Sequence, residues 1–265
     1  MKNLFFAAML LALAISVPIP TMAGVTPPLP GGSFKDSVTG MEFVFIKGGC
    51  FEMGNTFGDG SGNEKPVHGV CLDDFYLGKY EVTQGQWQSV MENNPSYFRD
   101  CGSNCPVEWV SWDDVQGFIS RLNQKSGKKF HMPTEAEWEY AARSGGKLEK
   151  WSGTSSEREL REYGWYDEDS GARTHVVGKK RPNGLGLYDM TGNVWEWCSD
   201  WYGGNYYQGS PTNNPEGPSN GSKRMLRGGG WGNDSSYVRA AARFGYAPGS
   251  QNIFSAGFRL SVSAR

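Results

Sequence analysis

The feature that most limits the fold of this chain is the fading of any period after Ala142. From Lys147 to Ser222 the residues read mostly as loops, with only short strand candidates between them. Thirty-seven glycines and ten tryptophans are spread along the sequence, and 14% of all residues are aromatic. Glycine supplies turns, and large flat side chains fill the space between them. The chain is therefore expected to pack loops against one another rather than to assemble long helices.

Before Ala142 the local signals are regular. Met41 to Ile46 alternates as a strand does, and Phe75 to Thr83 reads similarly. Thr83 is placed to cap a helix over Gln84 to Met91. Ser111 caps a second, Trp112 to Asn123, in which Val115, Phe118, Ile119 and Leu122 share one face. Thr134 opens a third, with Glu137 three residues on as a capping box. Two short strand-like pieces, MLRGGGW and GFRLSV, close the sequence, and no repeat of fixed period is present. These elements predict an α+β, irregular and loop-rich class with one domain.

The N-terminus carries an address. Lys2 is followed by an apolar run from Leu4 to Val17, then Pro18 and Pro20, and small residues around Thr21 and Ala23 precede Gly24. That layout is a secretory signal peptide over residues 1–23, too short for a membrane span. No cysteine follows the run to take a lipid. Residues 24–38 are Pro- and Gly-rich and read as a linker, leaving 39–265 as the domain. The expected location is periplasmic or secreted. Lys plus Arg (26) nearly balances Asp plus Glu (28), so a nucleic-acid partner is not indicated.

In an exported chain most of the five cysteines should be paired. Cys101 and Cys105 can close a small loop in DCGSNCP. Cys50 and Cys71 each end a strand-like run and can bridge neighbouring strands. Cys198, among the aromatics of WEWCSDW, is then a buried free thiol.

Eight phrases in order carry a family resemblance: GGCFEMGN, EKPVHGV, FYLGKYEVTQGQW, PVEWVSWDDV, HMPTEAEWEYAAR, PNGLGLYDMTGNVWEWCSDW, RGGGW and GFRL. Over residues 41 to 263 the chain resembles the formylglycine-generating-enzyme, or sulfatase-modifying-factor, family. The resemblance implies an elaborated C-type-lectin-like fold. In the working enzyme it also implies two cysteines after the RGGSW-like motif, whose thiolates hold Cu(I) and activate dioxygen. Here Arg227 to Trp231 is the motif, Gly230 replaces its serine, and the cysteine positions are Asn233 and Val238. Neither binds Cu(I) as a thiolate does, so no copper and no cysteine oxidation are expected. His68, His131 and His175 are scattered and have no metal-binding spacing.

The resemblance further implies a structural Ca²⁺ held by the side chains of Asp189 and Glu196 and by the carbonyls of Gly192 and Val194, an oxygen set that suits a hard cation. The Gly228 to Gly230 run is expected to serve close backbone packing. Between RGGGW and GFRL lies a varied segment in which Trp231, Asn233, Tyr237, Arg239, Arg243, Phe244, Tyr246 and Phe254 are expected to line a ligand surface. Its mixture of rigid aromatics with Asn, Ser and Gly resembles antibody loops. Many of its residues are reachable from asparagine codons by changing adenines, as in family members diversified by retroelements. Two functions remain open at this point. One is a calcium-stabilised module binding an unknown protein or small ligand. The other is an oxidoreductase with cysteine-independent chemistry.

Overall fold

The computed structural model describes residues 32–250 and 255–264. The signal peptide (1–23), the first part of the linker (24–31) and Phe254 lie outside the described residues. In chain order the strands are β1 (Phe34–Lys35), β2 (Glu42–Ile46), β3 (Cys50–Met53), β4 (His68–Cys71), β5 (Phe75–Gly78), β6 (Trp195–Trp201), β7 (Arg224–Arg227), β8 (Phe244–Tyr246), β9 (Ala256–Gly257) and β10 (Ser261–Ser263). The helices are α1 (Gln84–Met91), α2 (Trp112–Ser126), α3 (Glu135–Ala142) and the single turn α4 (Leu160–Tyr163).

Strands β1-β2-β5-β10 form one sheet, β8-β7-β6-β9 a second, and β3-β4 a separate pair. Phe34 pairs with Phe43, so the domain has already begun inside the segment read as a linker to residue 38. The Pro- and Gly-rich composition behind that reading stops near Gly32, which the boundary missed.

The three helix starts follow from their caps. Thr83, Ser111 and Thr134 each accept from the third residue onward, whose side chain returns to the cap N–H. Helix α2 runs past Asn123 and stops at Gly127, which sits at φ 70. A left-handed residue there closes the last turn without a Cβ penalty.

Val115, Phe118, Ile119 and Leu122 are buried as their spacing predicts, in a core with Trp87, Val90 and Phe258. The Phe118 ring lies stacked on Trp87 at 5.2 Å. A second core gathers Phe75, Leu77, Trp138, Ala141, Cys198 and Met225.

The expected disulfides Cys50–Cys71 and Cys101–Cys105 are present, and Cys198 is free and buried. Cys50 begins β3 rather than ending a strand, because the run from Phe43 breaks at Gly48. A Cβ on Gly48 would stand 2.3 Å from the Leu72 carbonyl, so only glycine passes. Cys50 then pairs directly with Cys71 across β3 and β4. Among the described residues no helix is long and apolar enough to cross a membrane.

Candidate functional site

The two positions that would carry copper chemistry are absorbed by the fold. Val238 is completely buried in a small core with Trp151, Leu160 and Tyr166. Asn233 closes its own turn: its Oδ1 accepts from Gly230 N at 2.9 Å, and its N–H reaches the Gly230 carbonyl at 3.0 Å. The Asn233 carbonyl in turn accepts from Asp167 N at 3.0 Å. An aliphatic side chain sealed among aromatics and an amide spent on a turn offer nothing to Cu(I). The glycine run packs tightly, as expected. Gly229 lies at φ 69, and a Cβ there would meet Val238 Cγ1 at 2.5 Å.

Two of the expected ligand-surface residues are instead structural. Arg239 and Arg243 are each 6% exposed. Arg239 donates two hydrogen bonds of 2.8 Å to Glu64. Arg243 grips Glu135 at 2.6 and 2.8 Å and also donates to the Asn63 carbonyl. Burial alone would raise the Glu135 carboxyl, but the Arg243 guanidinium against it holds it below the usual range. Their partners lie more than a hundred positions away, so nothing local marks these charges as taken.

The aromatics of the segment do reach solvent. Tyr237 is 49% and Phe244 41% exposed, while Trp231 and Tyr246 are half-buried. Phe244 and Tyr246 stand on the edge strand β8 with ring centres 6.3 Å apart, and Phe244 also meets Trp195 at 5.5 Å. Trp231 lies edge-on to Phe98 at 5.5 Å. That contact brings in residues that sequence reasoning missed. Tyr97, 58% exposed, packs on Phe98 and on Trp109. Trp109 holds φ 61, a left-handed conformation that is rare for a bulky side chain. The paired aromatics of NPSYF were the available signal for this extension; nothing local marks Trp109.

The proposed cation ligands sit in a buried acidic group. Glu196 accepts from Arg259 at 2.7 and 2.6 Å and from Trp138 Nε1 at 2.7 Å. Asp189 accepts from Gly178 N at 2.7 Å through one oxygen; the other, Oδ1, is buried without a partner among the described residues. Glu81 joins them, accepting from Asn193 Nδ2 at 2.6 Å and from Val194 N at 3.1 Å. Burial pushes the Asp189 carboxyl up to about 6, against the pull of the Gly178 N–H and Arg259. Burial also raises Glu81, and the Asp189 charge adds to it. As a cation cage this set fits in part. Asp189 offers a free oxygen, whereas both Glu196 oxygens face a guanidinium.

Two four-stranded sheets and a separate strand pair in a loop-packed α+β domain define a formylglycine-generating-enzyme-like, C-type-lectin-like fold, here with Asn233 and Val238 at the expected thiolate positions. The chain belongs to the sulfatase-modifying-factor family: the model of the sulfatase-modifying factor enzyme 1-like domain matches residues 31–264. It is similar to the formylglycine-generating enzyme of Streptomyces coelicolor, 31% identical over 322 residues, covering 95% of this chain and 97% of the relative. It is also similar to the chaperone protein LppX of Paenibacillus barcinonensis, 32% identical over 242 residues, covering 72% and 78%. Among solved structures, Treponema denticola variable protein 1 superposes with a TM-score of 0.79 at 32% identity, covering 88% of this chain and 98% of that one. PvdO from Pseudomonas aeruginosa gives 0.73 at 28% identity, covering 89% and 99%.

Proposed function

We propose that this protein is an exported, non-catalytic binding module of the family, periplasmic or secreted. In this reading it takes a protein or small ligand on the aromatic face that includes Trp231, Tyr237, Phe244 and Tyr246. The observation that carries this reading is the use of Asn233 and Val238 as structural residues, which leaves no thiolate pair at the family's reactive position. Similarity to a Treponema variable protein supports it. A cysteine-independent oxidoreductase would need a cleft beside positions 233 and 238. Clefts of about 600, 540 and 510 Å³ are lined by other residues. A structural Ca²⁺ at Asp189 belongs to the proposal, with the carbonyls of Gly192 and Val194. The unpaired Oδ1 supports it, and the commitment of Glu196 to Arg259 leaves one side-chain donor free.

Two measurements test the reading. The purified protein, loaded with Cu(I) and given a sulfatase-type cysteine peptide, is expected to leave the cysteine unoxidised by mass spectrometry. Copper-dependent formylglycine would overturn the non-catalytic assignment. Sequencing the gene in sibling isolates tests diversification. Variation concentrated at Tyr237, Phe244 and Tyr246 is expected, and variation spread equally over Asn233, Val238, Arg239 and Arg243 would sink it.

A further inference from the structure

Two asparagines of this chain precede glycine, Asn183-Gly184 and Asn220-Gly221, and the fold treats them in opposite ways. Asn183 is 6% exposed. Its Nδ2 donates to the Ala141 carbonyl at 2.8 Å and to Ser152 Oγ at 3.0 Å. Its Oδ1 accepts from Leu185 N at 3.0 Å and Leu187 N at 3.2 Å. The Gly184 N–H is itself spent on Ser144 Oγ at 2.9 Å. Asn220 and Gly221 are both exposed, in the loop before β7. Among the described residues nothing hydrogen-bonds to the Asn220 amide or to the Gly221 N–H.

We infer that Asn220 is a site of spontaneous covalent modification, deamidation through a cyclic imide, and that the fold protects Asn183 from the same reaction. The Gly221 backbone nitrogen attacks Asn220 Cγ. The new N–Cγ bond forms as the Cγ–Nδ2 bond breaks, and ammonia leaves with the proton from the Gly221 N–H. Water then opens the five-membered imide at either carbonyl, giving aspartate or isoaspartate. No oxidant, metal or enzyme is required. Glycine in the following position favours the attack because it has no Cβ to crowd the approach and is free to adopt the needed backbone angles. At Asn183 neither reactant is available, since the amide is held on both sides and the nucleophilic N–H is donated elsewhere. Reaction there must wait for local opening of a buried segment.

The product has a definite place in the fold. Gly221 lies against Trp201: a Cβ on it would stand 3.1 Å from Trp201 Cβ. Trp201 and Trp112 sandwich the Arg224 guanidinium at 3.5 and 3.8 Å. Isoaspartate lengthens the backbone by one methylene directly beside that stack and adds a negative charge four residues before β7.

The test is peptide mapping of the intact folded chain after incubation at mildly alkaline pH. The peptide containing Asn220 should gain about 1 Da, as an amide becomes an acid. It should split into two chromatographic forms, while the Asn183 peptide changes at least about tenfold more slowly. In urea both should convert at similar rates. Asn220→Gln should abolish the acidic species that the folded wild type accumulates, without changing the Asn183 peptide. Equal conversion of the two asparagines in the folded protein would overturn the inference. So would an Asn220 that stays intact while the unfolded chain reacts.

Discussion

The helical half of the domain and the loop half are stabilised by different chemistry. Helices α1 and α2 carry caps and apolar faces, and their core is hydrocarbon and aromatic: Trp87, Val115, Phe118 and Leu122, while the buried carboxylates of Glu135 and Glu139 on α3 meet arginines of the loop half. From residue 189 onward long-range order is carried by buried arginines. Arg227 is fully buried and donates to Glu139 and to the carbonyls of Ala240 and Ala242. Arg243 and Arg259 hold Glu135 and Glu196. An apolar face needs only a rough shape match, whereas a guanidinium fixes direction through donors in a rigid fork. Loops without a period are held in register by side chains that specify geometry.

The largest expected effect separates the halves. Arg243→Ala strips buried Glu135 of both its guanidinium hydrogen bonds, leaving the Tyr207 hydroxyl at 3.2 Å and Arg227 at 3.7 Å, and should cost about 3 kcal/mol in urea unfolding. Arg243→Met combined with Glu135→Met should regain much of that loss. An apolar truncation in the other half, Leu122→Ala, costs about 2–5 kcal/mol but has no charged partner through which to be rescued. Equal behaviour of the two sites would erase the distinction.

The next effect is calcium. At a hundred times its dissociation constant, a cation that binds only the folded state adds about 2.7 kcal/mol. A chelator should therefore lower the melting temperature, and Asp189→Asn should remove the response. A wild-type melting curve indifferent to chelator would show that Arg259 is the only cation this cluster needs.

A smaller effect concerns pH. Asp200 is 3% exposed, and burial with the neighbouring Glu135 charge pushes its carboxyl up to about 8. The folded state therefore keeps a proton that the unfolded chain has lost above its ordinary value near 3.8. The stability it contributes is complete below that value and declines as pH rises toward 8. Asp200→Asn should flatten the fall in urea midpoint between pH 6 and pH 8. An unchanged slope would place the titrating group elsewhere. Smallest of all is the exposed Arg161–Glu168 pair, where Arg161→Ala should leave the midpoint within error.

How much was legible follows the same division. The helix starts and the buried face of α2 were read from caps and spacing, because those signals are local. Strand β6 was not read as a strand: Trp195 to Cys198 are all buried, and burial alternates only over its last four residues. A strand covered on both faces carries no two-residue rhythm. Exposure along the expected surface segment was half legible. Exposed aromatics could be inferred from composition, but Arg239 and Arg243 looked like ligand residues because their carboxylates come from Glu64 and Glu135. The calcium positions were matched by residue type, which does not reveal that Glu196 already faces Arg259.

One consequence of the segment from Asn233 to Tyr246 reaches beyond stability. Its exposed residues, Tyr237, Phe244 and the partly exposed Tyr246, are interleaved with fixed ones: Val238 in its aromatic core, Arg239 and Arg243 in their ion pairs, and Gly245 where a Cβ would strike Tyr202 at 2.4 Å. The segment works like a row of pegs with interchangeable heads. Phe244 stands between anchored Arg243 and Gly245, and Tyr237 and Tyr246 each adjoin one anchored neighbour, so a substitution at any of the three changes the outer surface while the frame beside it keeps its contacts.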